Sequence, residues 1–264
     1  MQANVYDLDG KKVRSISLPE CFETKLYPNL IKRAVLSIAS KKKQPKSNFV
    51  LAGRNNTAEY IGVRKANRAR CTINTGRARL PRLKNRREIL YGRVAGISQS
   101  VGGPKAHPPK IEKTIIEKIN KKEKKKALDS AIAATADKKL VKERGHDFEG
   151  KLEFPLVIDS KIEGLKKTAE VSKVLIKLGV GIDVENAKKK KHLRAGKGRR
   201  RGRKYKKKKS LLVILNDVKN YRAFRNLEGV DVVNVKNLNP ELLAPGCKPG
   251  RLTLWSEQAL KELK

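Results

Sequence analysis

The hydrophobic positions of this chain change period along its length, and the changes mark out elements. After Tyr27-Pro28, the positions Leu30, Ala34, Val35 and Ile38 recur at helical spacing with Lys32 and Arg33 pointing elsewhere, which predicts an amphipathic helix over 29–40. A longer pattern predicts a second helix from Ile111 to about Asp137. Pro108-Pro109 lead into it, its apolar ladder is Ile111, Ile115, Ile119, Leu128 and Ile132, and Glu112 and Glu117 precede Lys121 to Lys126 as a helix dipole favours. Four short apolar runs, Leu156 to Ile158, Leu211 to Leu215, Val230 to Val235 and Leu252 to Leu254, have the length of buried strands. Helical patterns at Ile162 to Leu178, with Gly179 as a stop, and at Ser256 to Leu263 lie between or after them. Buried strands alternating with helices predict an α/β fold, a mostly parallel sheet with flanking helices.

Residues 41–109 follow neither period. Their apolar positions are scattered, and glycines 53, 62, 76, 92, 96, 102 and 103 punctuate them. Such a stretch buries too little apolar surface to fold alone, and an excursion of this length inside a domain is expected to be a linker or an extension ordered by a partner. The helices on either side favour an internal extended loop, 41–109, inserted in a single α/β globular domain spanning 1–264.

Charge sharpens this division. The chain has 64 Lys and Arg against 26 Asp and Glu, a formal net charge of +38. Residues 41–109 contain 17 basic and 2 acidic side chains, and residues 186–209 contain 15 basic and none acidic, so these two segments carry +30 of the total. The remainder has an ordinary balance. An excess of this size repels itself unless a polyanion neutralises it, which makes nucleic acid the first partner to consider. Anionic membrane is second, but the sequence has no apolar run of about 18 residues and no charged-then-apolar leader, so no membrane partner is expected. Cys21, Cys71 and Cys247 are odd in number and without CxxC spacing, and reduced, intracellular thiols are the expectation.

Arginine suits RNA because a guanidinium binds phosphate bidentately and stacks on bases. The candidate RNA-binding residues of the first segment are Arg54, Arg64, Lys65, Arg68, Arg70, Arg77, Arg79, Arg82, Lys84, Arg86, Arg87, Arg93, Lys105 and His107. Those of the second are Arg194, Lys197, Arg199, Arg200, Arg201, Arg203, Lys204 and Tyr205, just before the Leu211 run. A solvated basic tail is the bland reading of the first segment, and a nuclear-targeting run that of Lys206 to Lys209; neither accounts for the interleaved glycines. Gly196-Lys197-Gly198 is not a phosphate loop, which needs Ser or Thr after its Lys and a strand before it.

No catalytic residue is expected. His107 has stacking on a base or capping the Ile111 helix open to it, while His146 and His192 stand isolated in sequence, without a nucleophile or paired carboxylate. Three dispersed histidines and three dispersed cysteines give no metal spacing, and no Gly-x-Gly-x-x-Gly follows a predicted strand, so neither metal nor cofactor is expected. Two rivals stay open: a chromatin-type nucleic-acid-compacting protein, and an RNA-modifying enzyme whose basic arms dock its substrate.

Six separated stretches carry a family resemblance. Tyr6-Asp7-Leu8-Asp9-Gly10, Gly102 to Pro109, Ala133 to Asp137, Arg144-Gly145-His146-Asp147-Phe148, Gly196 to Tyr205, and Leu243 to Gly246 with Pro249 to Thr253 resemble, in the same order, the archaeal and eukaryotic type of large-subunit ribosomal protein four. The resemblance spans the chain. It implies a globular α/β domain on the outside of the large ribosomal subunit and an internal loop threaded through ribosomal RNA that helps line the nascent-peptide exit tunnel. It places the tunnel-proximal part near 64–87, and it implies a cytoplasmic protein in contact with ribosomal RNA and neighbouring ribosomal proteins, not a homo-oligomer. Ala78, in Gly76-Arg77-Ala78, stands where the family pattern has a second glycine, and a positive φ there would strain an alanine.

Overall fold

The fold is that of a computed structural model, which describes residues 1–60, 78–84, 89–149, 152–217 and 219–263. They fall into two compact units, one formed by 1–42 with 116–264 and the other by 43–115.

The first unit opens with an antiparallel pair, β1 (Gln2–Tyr6) and β2 (Lys12–Ser17), an element that the hydrophobic pattern does not predict. The predicted helix follows as α1 (Pro28–Lys41), with proline at its first turn, where a missing N–H costs nothing. Its buried face is Ile31, Ala34, Val35, Ser37 and Ser40, which keeps Ala34 and Val35 of the ladder read from sequence while Leu30 and Ile38 are only half-buried, and Leu36 stays exposed.

Among its described residues the second unit has a short antiparallel ladder, β3 (Ala58–Tyr60) with β4 (Pro81–Leu83), extended by a bridge from Arg82 to Val94.

Back in the first unit, α2 is shorter than predicted, Lys121–Ala136. Residues Ile111 to Asn120 are not helical. Within this stretch Ser40 Oγ accepts from the Glu117 N–H at 3.0 Å and Ser37 Oγ donates to its carbonyl at 2.6 Å, so two α1 hydroxyls hold the returning chain extended. Four isoleucines, at 111, 115, 116 and 119, add little helix propensity to oppose them. Then come α3 (Lys138–Glu143), capped by Asp137, and β5 (Leu156–Ile158). The Ile162 to Leu178 pattern divides into a 3-10 turn at Ser160–Gly164 and α4 (Thr168–Lys177), and α5 (Gly181–Lys189) follows.

The second basic segment forms its own hairpin, β6 (His192–Leu193) and β7 (Tyr205–Lys206), with a single helical turn α6 (Lys197–Arg200) at its tip. The chain finishes through β8 (Leu212–Leu215), α7 (Tyr221–Arg225), β9 (Asp231–Asn234), α8 (Pro240–Leu243), β10 (Thr253–Ser256) and α9 (Glu257–Glu262).

Six strands make the main sheet in the order β2-β1-β5-β10-β8-β9, parallel throughout except for the first pair. The α/β class and the mostly parallel sheet therefore stand, with an antiparallel edge added. Its two faces explain the uninterrupted apolar runs. Leu156, Ile158, Leu211, Val213, Leu215 and Leu254 pack with Val171, Leu175 and Phe224 on one side, while Val157, Leu212, Ile214 and Trp255 pack with Phe22, Ile31, Val35 and Ile132 on the other. A strand buried on both faces has no polar face to show in its sequence.

Candidate nucleic-acid interface

The hairpin at residues 192–206 brings all eight candidates of the second segment onto one small element. The ladder pairs His192 with Lys206 and Leu193 with Tyr205, and the Arg194 N–H donates to the Lys204 carbonyl at 2.9 Å. Gly196, at φ +73°, turns the chain into α6 in a conformation that an L side chain rarely takes. No residue of α6 is buried, and its only charges are Lys197, Arg199 and Arg200. An open cleft runs between Arg194, Lys197, Arg199, Arg200 and Lys204. The Tyr205 ring, 47 % exposed, lies 5.4 Å from the Lys191 ammonium and 5.6 Å from that of Lys204, and Arg194 Nε donates to the Tyr205 carbonyl at 3.1 Å. The hairpin thus combines exposed guanidinium groups at its tip with an aromatic face on β7, the pairing that RNA phosphates and unstacked bases use.

The root of the same hairpin is chemically different. Lys191 and Lys207 both pair with Glu228, at 3.1 and 3.0 Å. Lys208 reaches Asp183 at 2.6 Å, and Lys209 makes two bonds of 2.9 Å to Asp231. Asp183 is fully buried and also accepts from Ser210 Oγ at 2.5 Å and from the Asp147 N–H at 3.2 Å, with His146 Nδ1 at 2.9 Å. Burial alone would raise its pKa, but His146, Lys208 and Ser210 hold the carboxyl well below the usual carboxylate range. His146, isolated in sequence, is thus the buried neighbour of a charge network that sequence reasoning missed. The Arg-Gly-His-Asp-Phe stretch was the only pointer to it.

A second buried charge braces the strand that follows. Arg251 donates to the carbonyls of Ser210, Leu211 and Leu242 and pairs with Asp231 at 2.7 Å. Burial lowers its pKa while Asp231 favours its charged form. Arg144 donates to the carbonyls of Pro245 and Pro249 at 2.5 and 3.5 Å, and burial followed by the proximity of Arg251 lowers it to about 10. The Arg144 to Phe148 stretch and the last family-like stretch therefore meet in one internal scaffold of arginines and carbonyls.

In the unit of residues 43–115, Arg54, Arg79, Arg93, Lys105 and His107 are exposed. Arg82 is used internally: its guanidinium donates to the carbonyls of Gly92 at 2.9 Å and Ala78 at 3.0 Å. Lys84 pairs with Glu59. Ala78 has ordinary backbone, since Cys247 is the one non-glycine residue with positive φ among those described. His107 lies in an open groove with Lys43, Lys46, Pro108, Lys110 and Ile115, and helix capping is not its role, because the helix begins at Lys121 and not at Ile111. Arg64, Lys65, Arg68, Arg70, Arg77, Arg86 and Arg87 lie outside the described residues, as does Cys71.

At the carboxyl ends of the parallel strands, where α/β enzymes place their ligands, Glu163 accepts from the N–H groups of Asn216 and Asp217 at 2.9 and 3.1 Å and from Ser256 Oγ at 2.5 Å. An internal carboxylate already ties these strand ends together. Among the described residues, no cluster of His, Cys, Asp and Glu is arranged to hold a metal, and no helix is long and apolar enough to cross a membrane.

Comparison with known proteins gives one answer. Residues 16–264 match the family model described as the ribosomal protein L4/L1 family. The whole chain aligns with the large ribosomal subunit protein uL4 of Methanocaldococcus jannaschii at 48 % identity, covering 98 % of that protein. The proteins of the same name from Archaeoglobus fulgidus and Methanoculleus marisnigri align with the whole chain at 47 % and 46 % identity, covering 98 % and 99 % of their lengths. Matched over nearly all its residues by the family and end to end by these relatives, the chain belongs to the ribosomal protein L4/L1 family.

Proposed function

We propose that this chain is a structural constituent of the cytoplasmic large ribosomal subunit, and that it binds ribosomal RNA through two basic segments, 41–109 and 186–209, carried by one α/β domain. The observation that carries the reading is the division of charge on the hairpin, where the root lysines are paired internally and the tip cations around Arg199 and Arg200 are free. Free cations gathered on a projecting element gain binding energy by releasing counterions from phosphates. In this reading the segment 41–109 reaches toward the nascent-peptide exit tunnel, and exposed Arg54, Arg79, Arg93, Lys105 and His107 meet RNA along the way. Neighbouring large-subunit proteins are the other partners. Chemistry is no part of the role: the family is one of structural proteins.

The test is sucrose-gradient sedimentation of a lysate at physiological and at high salt, with each fraction probed for this chain. Co-sedimentation with large subunits that survives the high-salt wash is the expected result. Release into light fractions at modest salt would put a nucleic-acid-compacting protein in its place, for which binding would grow with duplex length regardless of sequence.

A further inference from the structure

Both strands of the basic hairpin end on carboxylates. On the incoming side, α5 carries Asp183 in its first turn and ends at Lys189, two residues before Lys191. On the outgoing side, the chain leaves β7 at Lys206 and passes through Lys207 and Lys208 to buried Ser210. Glu228 joins the two sides, holding incoming Lys191 at 3.1 Å and outgoing Lys207 at 3.0 Å. Asp183 joins them again one layer deeper, since it belongs to α5 and takes outgoing Lys208 and Ser210 at 2.6 and 2.5 Å. Gly229 sits between them at φ +78°, so close that a Cβ there would lie 2.7 Å from the Lys208 carbonyl oxygen and 2.9 Å from Ala187 Cβ. Residues 228 and 229 therefore wedge between the two roots and bind both.

The hairpin needs such a device. Each of its strands has two residues, α6 buries nothing, and an isolated two-stranded ribbon is marginal in water even when it is longer. We propose that Glu228 and Asp183 form an anionic clasp that orients the basic hairpin for RNA, and that they act as positioning residues without touching RNA themselves. The inference rests on the RNA-binding role proposed above for this hairpin. Its corollary is that Lys191, Lys207 and Lys208, although part of the most basic run in the chain, are structural cations and not phosphate ligands. A clasped hairpin meets RNA already ordered; a released one must be ordered during binding, which weakens affinity even though the same groups touch the RNA.

The sign of the effect separates this from plain electrostatics. Glu228→Gln removes a negative charge from a protein that faces a polyanion, so charge alone predicts tighter binding. The clasp predicts the reverse. For the full chain titrated with a transcript of large-subunit ribosomal RNA, the expected result is affinity weakened about tenfold, together with faster hydrogen exchange at the Arg194 and Arg203 amides in the free protein. Those two N–H groups close the hairpin onto the Lys204 and Gly198 carbonyls. A pair of further variants matches the charge change: Lys208→Gln and Lys206→Gln each remove one cation from the same side of the hairpin. The clasp predicts that Lys208→Gln loosens the two amides and weakens binding several-fold more than Lys206→Gln does. Tighter binding by Glu228→Gln, or unchanged exchange at Arg194 and Arg203, would overturn the proposal. If the unaltered chain failed to bind the transcript, the proposed RNA role would fall, and the exchange measurement would still decide whether the clasp exists.

Discussion

At the scale of single residues, the chain holds two kinds of cation that composition does not distinguish. Arg251 is of the internal kind, fully buried against Asp231 and three carbonyls. Its replacement by alanine leaves these acceptors without a donor in the interior, and we expect a loss of about 3–5 kcal/mol in a urea titration. Asp231 and Asp183 are carboxylates through which acid weakens the fold. Burial opposes their charge, but Arg251 and Lys209 for the first, and His146, Lys208 and Ser210 for the second, hold both carboxyls below the ordinary value. A folded pKa below the unfolded one gives stability that is present above the unfolded value, about 3.9, and is lost as pH falls through the folded one. Urea midpoints measured between about pH 6 and about pH 3 should therefore fall, and Asp183→Asn should flatten that dependence while starting from a lower midpoint. Cys21 behaves oppositely, because burial, followed by the nearby Asp129 carboxylate, pushes its thiol up to about 11. With so little thiolate near neutrality, its alkylation by iodoacetamide should be slow at about pH 8 and accelerate toward pH 11.

At the scale of elements, local sequence and tertiary packing competed, and the outcome differed from place to place. The predicted helix at 29–40 formed because its apolar stripe had a sheet face to cover. The stretch from Ile111 to Asn120 has a helical pattern of similar clarity, yet Ser37 and Ser40 hold part of it extended. Ser256 has two functions: its Oγ accepts from the Ala259 N–H at 3.1 Å, capping α9, and donates to Glu163 at 2.5 Å. Ser256→Ala should thus cost about 2 kcal/mol, above the typical value near 1 kcal/mol for a cap, because Glu163 also loses a donor. Denaturant unfolding of the variant measures this directly. The β1–β2 pair escaped sequence reading because its outer strand is mostly exposed, from Lys12 through Ser15, and has no apolar alternation to show.

At the scale of the whole molecule, affinity for RNA should follow the free cations and not the total charge. Replacing Arg199, Arg200 and Arg201 with glutamine should lower the slope of log affinity against log salt by about 0.7–0.9 for each phosphate no longer neutralised, whereas Lys209→Gln should leave the slope nearly unchanged and reduce stability instead. A titration of both variants over a range of potassium chloride distinguishes these outcomes. The α/β class, strands β5, β8, β9 and β10, the two basic segments and the family are legible in the sequence, because each is written in local composition, period or motif. Only the tertiary structure set strand order, the antiparallel edge, the non-helical path of Ile111 to Asn120, and the partners of His146, Arg82 and the root lysines. Strand order and the edge depend on which distant segments pair, and for the charged groups the reason is equally non-local. A cation reads the same in sequence whether it meets water, a carbonyl or a carboxylate, and only folding brings Glu228, Asp183 and Asp231 within reach of Lys191, Lys208 and Lys209, which lie 37, 25 and 22 residues from them along the chain.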